Sequence, residues 1–122
     1  MFSSPFRQRL GQWGEKLAQN YLHRHGYLII ATNFHSPSGE IDIIAQTNGQ
    51  FVFTEVKTRK RSSLQAPEEF VDKKKLTKMG KTALDFFFKN NIETENYRFD
   101  IIAIEVDYQT RKTLIRHSKA VH

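Results

Sequence analysis

The stretch Gly39–Arg59, GEIDIIAQTNGQFVFTEVKTR, constrains this chain more than any other. Asn48-Gly49 lies between two apolar runs. That dipeptide is the strongest short-range hairpin signal, because both central residues of a type I′ turn need positive φ. A two-residue turn fixes the register by counting: Thr47 faces Gln50, Ala45 faces Val52, Asp42 faces Glu55 and Glu40 faces Lys57. The two-residue period of a strand then puts Glu40, Asp42, Glu55 and Lys57 on one face of the sheet. Like charges directly opposed destabilise a sheet, and these sit in an otherwise apolar ladder of Ile44, Phe51 and Phe53. A divalent cation held between the carboxylates of Asp42 and Glu55 would remove the conflict.

The remaining elements fall around this hairpin. Residues 1–9 read as a flexible N-terminal arm, with Pro5 opposing an early helix, and residues 10–119 as a single domain. From Leu10 to His25 the apolar spacing is helical: Leu10, Trp13, Leu17 and Tyr21 form a stripe, and Gly26 is a natural stop. Gly14 at the centre of the stripe suits close approach to a sheet, and Glu15 at its edge can send a carboxylate across the packed interface. Tyr27–Ala31 reads as a short buried strand and Thr32–Ser38 as a polar connector. After the hairpin, Arg59, Lys60 and Arg61 are placed to grip phosphates, and Ser62–Pro67 is a flexible joint.

A second helix is expected over Pro67–Lys89, with Pro67, Glu68 and Glu69 in its first turn. Its stripe is Leu76, Met79, Ala83, Phe86 and Phe87. Lys74, Lys78 and Lys81 project to the opposite, solvated side, while Lys75 flanks the stripe. Tyr97–Val106 is a central strand containing Asp100, and Thr113–Ser118 is a final strand. Helix, strand, hairpin, helix, strand, strand predicts an α/β fold, a mixed central β-sheet flanked by helices.

Charge narrows the partners. Nineteen Lys and Arg against thirteen acids give a net charge of +6, which favours polyanions, although solubility alone also accounts for it. The absence of cysteine excludes disulfides and thiolate metal sites. With no signal-peptide core and no apolar run of the ~18 residues that span a bilayer, the expectation is a cytoplasmic protein with no membrane partner.

Asp42 and Glu55 offer hard oxygen donors at hairpin-pair distance, which suits Mg2+ or Mn2+, ions that bind through a few carboxylates and keep several waters. Lys57 would orient a metal-activated water or stabilise charge growing on phosphorus oxygens. Glu15, arriving from the first helix, could complete the metal site, and the carbonyl of Val56 could add a ligand. An Asp followed twelve residues later by Glu-x-Lys is a weak motif alone. Placed across an Asn-Gly hairpin with both acids on one face, it gains weight. The plainer reading is a cross-strand ion pair of Lys57 with Glu40 or Asp42. That reading accommodates Glu40 and leaves Asp42 opposite Glu55 unexplained. His23 and His25 point in different directions on their helix, His35 and His117 have no ligand-spaced partner, and no Ser-His-Asp set or Gly-rich phosphate loop can be assembled.

Taken together, GQWGEKLAQNYLHRHGY, GEIDIIA, FTEVKTR, the basic helix and YRFDIIAIE resemble the YraN family of small bacterial proteins over roughly residues 10–119. That family is similar to the PD-(D/E)xK nucleases, near the archaeal Holliday junction resolvases. The resemblance implies a restriction-endonuclease-like fold and metal-dependent phosphodiester hydrolysis in DNA repair or recombination. Residue by residue, it sets Glu15 at the acid of the first helix, Asp42 at the metal-binding acid, and Glu55 and Lys57 at the E-x-K. Asp100 falls on the Asp of an R-F-D strand, and Lys75 on the basic residue of the second helix. The partner implied is nucleic acid, DNA before RNA, gripped by Arg59, Lys60, Arg61 and Lys75. A resolvase needs two active sites and hence a homodimer. Two other classes fit the same sequence: a non-catalytic nucleic-acid-binding module, which needs only the basic residues, and a protein-interaction factor, which makes no demand on the acids.

Overall fold

A computed structural model of the chain describes residues 5–61 and 73–122. Its elements are α1 (Pro5–Arg24), β1 (Leu28–Ser36), β2 (Gly39–Thr47), β3 (Gln50–Lys60), α2 (Lys73–Lys89), β4 (Tyr97–Asp107) and β5 (Lys112–Ser118). The five strands form one sheet in the order β1-β2-β3-β4-β5. All neighbours are antiparallel except β3 and β4, which run parallel. A parallel pair needs a crossover connection, and α2 lies within it. The fold is thus α/β, a mixed five-stranded sheet with two helices. Ser62–Pro67, the expected joint, and the expected helix start at Pro67 with Glu68 and Glu69 lie outside the described residues, as does the 1–4 part of the N-terminal arm.

The two faces of the sheet hold separate cores. On one, Ala18 and Leu22 of α1 pack on Ile43, Ala45, Val52, Ile102 and Ile104. On the other, Ala83, Phe86 and Phe87 of α2 pack on Ile41, Ile44 and Phe53. Edge-to-face rings fasten this second core: Phe53 and Phe87 stand 5.3 Å apart at 87°, and Phe34 meets Phe86 at 5.4 Å. Such pairs contribute ~0.5–1.5 kcal/mol each beyond area burial. The aromatic anchor holds the C-terminal half of α2, leaving its lysine-rich first turns over open sheet.

Three local expectations change. α1 begins at Pro5 rather than near Leu10, because proline at the first helical position gives up only an N–H that has no intrahelical partner. The buried stripe of α1 shifts about Gly14, which faces the sheet as expected: Ala18 and Leu22 are fully buried, Leu17 and Tyr21 pack beside them, and Trp13 is 40% exposed. Gly14 sets this orientation, since a Cβ there would stand 1.9 Å from Thr58 Oγ1. Finally, Thr32–Ser36 is strand and not connector. It pairs with β2 as far as Ser36↔Gly39, closing a second hairpin over Pro37-Ser38. β1 is an edge strand, so its polar residues, and also Leu28 and Ile30, face solvent.

Candidate functional site

The β2–β3 turn has the expected form, with φ of 49° at Asn48 and 75° at Gly49. The register follows the count, from Thr47↔Gln50 to Ile43↔Thr54. There the ladder stops, one step short of Asp42 and Glu55. Asp42 instead turns its own Oδ2 toward β3 and accepts the Val56 N–H at 2.8 Å. The side chain replaces a ladder bond and brings a carboxylate beside the strand that carries Glu55. Burial pushes the Asp42 carboxyl up to about 6, against the Val56 hydrogen bond, and the charges of Glu15, Glu55 and Glu40 push the same way.

Glu55 is buried. Its Oε1 takes the Lys75 ammonium of α2 and lies 3.6 Å from Lys57 Nζ. Its Oε2 is buried with no hydrogen-bond partner among the described residues. Burial works against the Lys75 ammonium, yet the hydrogen bond and charge of Glu55, with the charge of Asp42, prevail and raise its pKa. Glu40 does not sit against Lys57. It pairs across the other hairpin with His35 at 3.3 Å, because β2 and β3 have already parted. Glu15 reaches over from α1 and takes a hydrogen bond from the Asn33 side chain; burial raises its pKa, helped by Glu40. Asn33, opposite Asp42 in the β1 register, has φ 51°, a local kink within the continuous strand. Glu15 is therefore felt electrostatically at Asp42. Among the described residues, however, no set of three or more His, Cys, Asp or Glu is arranged to hold a metal ion. The acids brought together are Asp42 and Glu55.

These two form the floor of a cleft of about 330 Å3 between β2 and the first turns of α2. Lys74, Lys75 and Lys78 line it along with Gly39 and Glu40. Lys74 and Lys78 were expected on a solvated far face. Lys74, Lys78 and Lys81 are all exposed, as expected, but the phase of α2, set by the Phe86–Phe87 anchor, puts Lys74 and Lys78 on the rim of the cleft and leaves Lys81 outside it. The i, i+4 spacing of Lys74 and Lys78 beside Lys75 was the available signal.

The basic run past the hairpin is divided by its partners. Arg59 Nη2 donates to Glu105 Oε1 at 3.1 Å, and Arg116 meets the same oxygen at 2.7 Å, so Arg59 is drawn into the sheet. Arg61 lies 3.8 Å from Asp107 and Lys60 sits over the Tyr108 ring; both are exposed.

Asp100 belongs elsewhere. It pairs with Thr54, one residue before Glu55, so the two acids point to opposite faces. It accepts from Arg98 Nε at 3.0 Å and from the Ala120 N–H at 3.0 Å, and lies 2.7 Å from His117 Nε2. His117 Nδ1 meets the Tyr21 hydroxyl at 3.1 Å. Burial would raise Asp100, but His117, Arg98 and the Ala120 N–H outweigh it and hold the carboxyl below its usual range. Sequence reasoning gave His117 no partner; the i, i+2 spacing of Arg98 and Asp100 on one strand face was the visible half of this network.

Fold and site together define a small α/β protein with a buried glutamate and a half-buried aspartate under a lysine-lined cleft. The chain matches, over residues 14–104, the model of a family described as uncharacterised protein family UPF0102. It is 42% identical to a UPF0102 protein of Sulfurihydrogenibium over 95 residues, covering 78% of this chain and 83% of the relative. With a UPF0102 protein of Caldicellulosiruptor bescii it shares 40% over 110 residues, 88% of this chain and 92% of the relative. A UPF0102 protein of Aliivibrio fischeri is 41% identical over 96 residues, 77% of this chain and 78% of the relative. The chain belongs to the UPF0102 (YraN) family.

Proposed function

We propose that this protein is a divalent-metal-dependent endonuclease of the restriction-endonuclease-like class that hydrolyses phosphodiesters in nucleic acid, with branched DNA as its substrate. One observation carries the reading: Glu55 Oε2 is buried and has no hydrogen-bond partner among the described residues, next to an Asp42 whose ionisation is already opposed by burial. Two hard carboxylates with an unused oxygen fit Mg2+ or Mn2+, which need few protein ligands. Asp42 and Glu55 would hold the ion, and Glu15 adds negative charge behind them. The bound ion would supply a water of lowered pKa and a Lewis acid for the phosphoryl oxygen.

The chain's own residues do the rest. Lys57, beside Glu55, is placed to stabilise negative charge developing on the phosphate. Lys75 pairs with Glu55 and would be available to a phosphate were a cation held by that carboxylate. Lys74 and Lys78 line the approach and attract the polyanion. Lys60 and Arg61 extend the positive surface at the end of β3, and Arg59 supports it from within.

Manganese titration of isotope-labelled protein tests the metal. Selective broadening around Asp42 and Glu55, absent in Asp42→Asn, is expected at millimolar-range metal. Incubation with a four-way junction, a flap, linear duplex and single-stranded RNA then tests the chemistry, with cleavage of the junction expected and loss of it in Asp42→Asn and Lys57→Ala. No broadening at the acid pair sinks the reading. Broadening with salt-sensitive binding but no cleavage leaves a nucleic-acid-binding module in its place.

A further inference from the structure

At the opposite end of β2 and β3 from the acid pair, a second pocket of about 240 Å3 opens between the α1 C-terminus, the Asn48 turn and β5. Arg98, Lys119, His25, His117, Asn48 and Tyr27 are among its lining residues, and no carboxylate lines it among the described residues. Its volume lies below the ~300–1,000 Å3 of pockets that enclose drug-sized molecules, so it suits one small group.

Arg98 is preorganised there. Its Nε and Nη2 hold the two oxygens of Asp100 at 3.0 and 3.2 Å, Nη1 donates to Gln50 Oε1 at 2.7 Å and Nη2 to the Tyr27 hydroxyl at 2.9 Å. A guanidinium has five N–H groups, so one on Nη1 has no partner among these bonds. The Tyr27 hydroxyl accepts from Arg98 and keeps its own proton to donate. Asp100 is fully buried, and its charge is met by Arg98 and His117. The negative end of α1 at this rim works against an anion, and it is offset where the Tyr21 and Leu22 carbonyls accept from His25 and Tyr27.

We propose that this pocket is a second, non-catalytic site that binds a phosphate group through Arg98, Lys119, Asn48 and the Tyr27 hydroxyl. It shares no lining residue with the acid cleft and does not depend on the nuclease reading. A planar, fixed guanidinium with a mobile ammonium beside it is the arrangement that recognises phosphate oxygens. The phosphate could be a terminal monoester or part of a nucleic-acid backbone.

The test is an NMR titration with inorganic phosphate against sodium chloride at matched ionic strength. Saturable shifts confined to Asn48, Arg98, His117 and Lys119 are expected. Lys119→Ala, an exposed change that leaves the Asp100 network intact, should weaken binding roughly tenfold, the worth of one charge-assisted bond. The cleft variant Lys78→Ala should leave it unchanged. Oligonucleotides with a 5′-phosphate or a 5′-hydroxyl then separate the sources. Tighter Lys119-dependent binding of the phosphorylated strand assigns a monoester, and equal Lys119-dependent binding assigns the backbone. Absence of saturation, or binding indifferent to both Lys119→Ala and Arg98→Lys, overturns the proposal.

Discussion

Asp42→Asn should make the metal-free protein more stable near neutral pH while abolishing its response to metal. The amide keeps an oxygen to accept the Val56 N–H that Asp42 Oδ2 accepts at 2.8 Å, so the substitution removes charge and little else. Burial holds the folded Asp42 carboxyl at about 6 against an ordinary 3.8. Between those values the folded state binds more protons than the unfolded chain, so stability falls as pH rises. The contribution is fully present below about pH 4 and is lost as pH passes about 6. At ~1.4 kcal/mol per pH unit, the displacement amounts to about 3 kcal/mol. Relaxation and water entry reduce it, and about 1–3 kcal/mol of added stability is expected for the Asn variant. Urea denaturation in chelator across about pH 4–8 reads this directly, the two proteins converging at the acid end. Magnesium should then stabilise the natural sequence, by about 2.7 kcal/mol at a hundredfold excess over Kd, and leave the variant unmoved. An Asn variant that is less stable at neutral pH, or a difference that does not change with pH, would refute the reasoning.

Asp100→Asn should behave in the opposite sense. The folded carboxyl is depressed by His117, Arg98 and the Ala120 N–H despite its burial, so it stabilises above pH ~4 and the contribution fades as pH falls through the folded value. A loss of about 3 kcal/mol at neutral pH, shrinking in acid, is expected from the same urea series. Arg59→Ala should cost about 2–3 kcal/mol by leaving Glu105, 2% exposed, to its ion pair with the half-exposed Arg116, whereas Lys60→Ala should stay within about 0.5 kcal/mol; thermal unfolding separates them. Gly14→Ala should destabilise by about 1–3 kcal/mol, because the new Cβ meets Thr58 Oγ1 at 1.9 Å. Adding Thr58→Ala should recover part of that loss in a double-mutant cycle.

The hairpin was legible because its information is local. Asn48-Gly49 dictates the turn, and counting gives the register from there to Ile43↔Thr54. Element order was legible for the same reason. Partners distant in sequence were not: Arg59 lies 46 residues from Glu105, and His117 lies 17 from Asp100. A run of cations such as Arg59, Lys60 and Arg61 looks uniform until the neighbouring strand supplies Glu105 to one of them. The wheel of α1 put Gly14 against the sheet, where Thr58 leaves no room for a Cβ, but it overstated Trp13 and passed over Ala18 and Leu22, which share that face. Polar Thr32–Ser36 reads as loop unless the strand is known to be an edge, where one side needs no apolar residues. Lys74 and Lys78 were assigned to solvent on the same wheel logic, although a helix half can overhang a cleft when only its other half is packed.

β3 divides the molecule through its alternation. Val56 packs in the α1 core and Thr58 against Gly14; Glu55, Lys57 and Arg59 point the other way, toward Lys75 and Glu105. A slip of one residue would exchange the faces and drive Glu55 into the layer of Ala18 and Leu22, where an unpaired carboxylate costs several kcal/mol or more. The Asn48-Gly49 turn cannot prevent this alone, since the ladder it starts ends just before the site. β4 can: its parallel pairing runs through the site, from Phe51↔Tyr97 to Lys60↔Val106. Glu55 and Lys57 are therefore placed by β4, while the backbone of Asp42 is held between the Ile41 and Ile43 pairs with β1 and its carboxylate by the Val56 N–H. Both backbones are thus fixed by the sheet, and what a ligand meets is the Asp42 carboxylate on its one hydrogen bond and the Glu55 carboxylate on Lys75. A ligand that must engage both carboxylates works against that single bond and against Lys75, and not against the sheet.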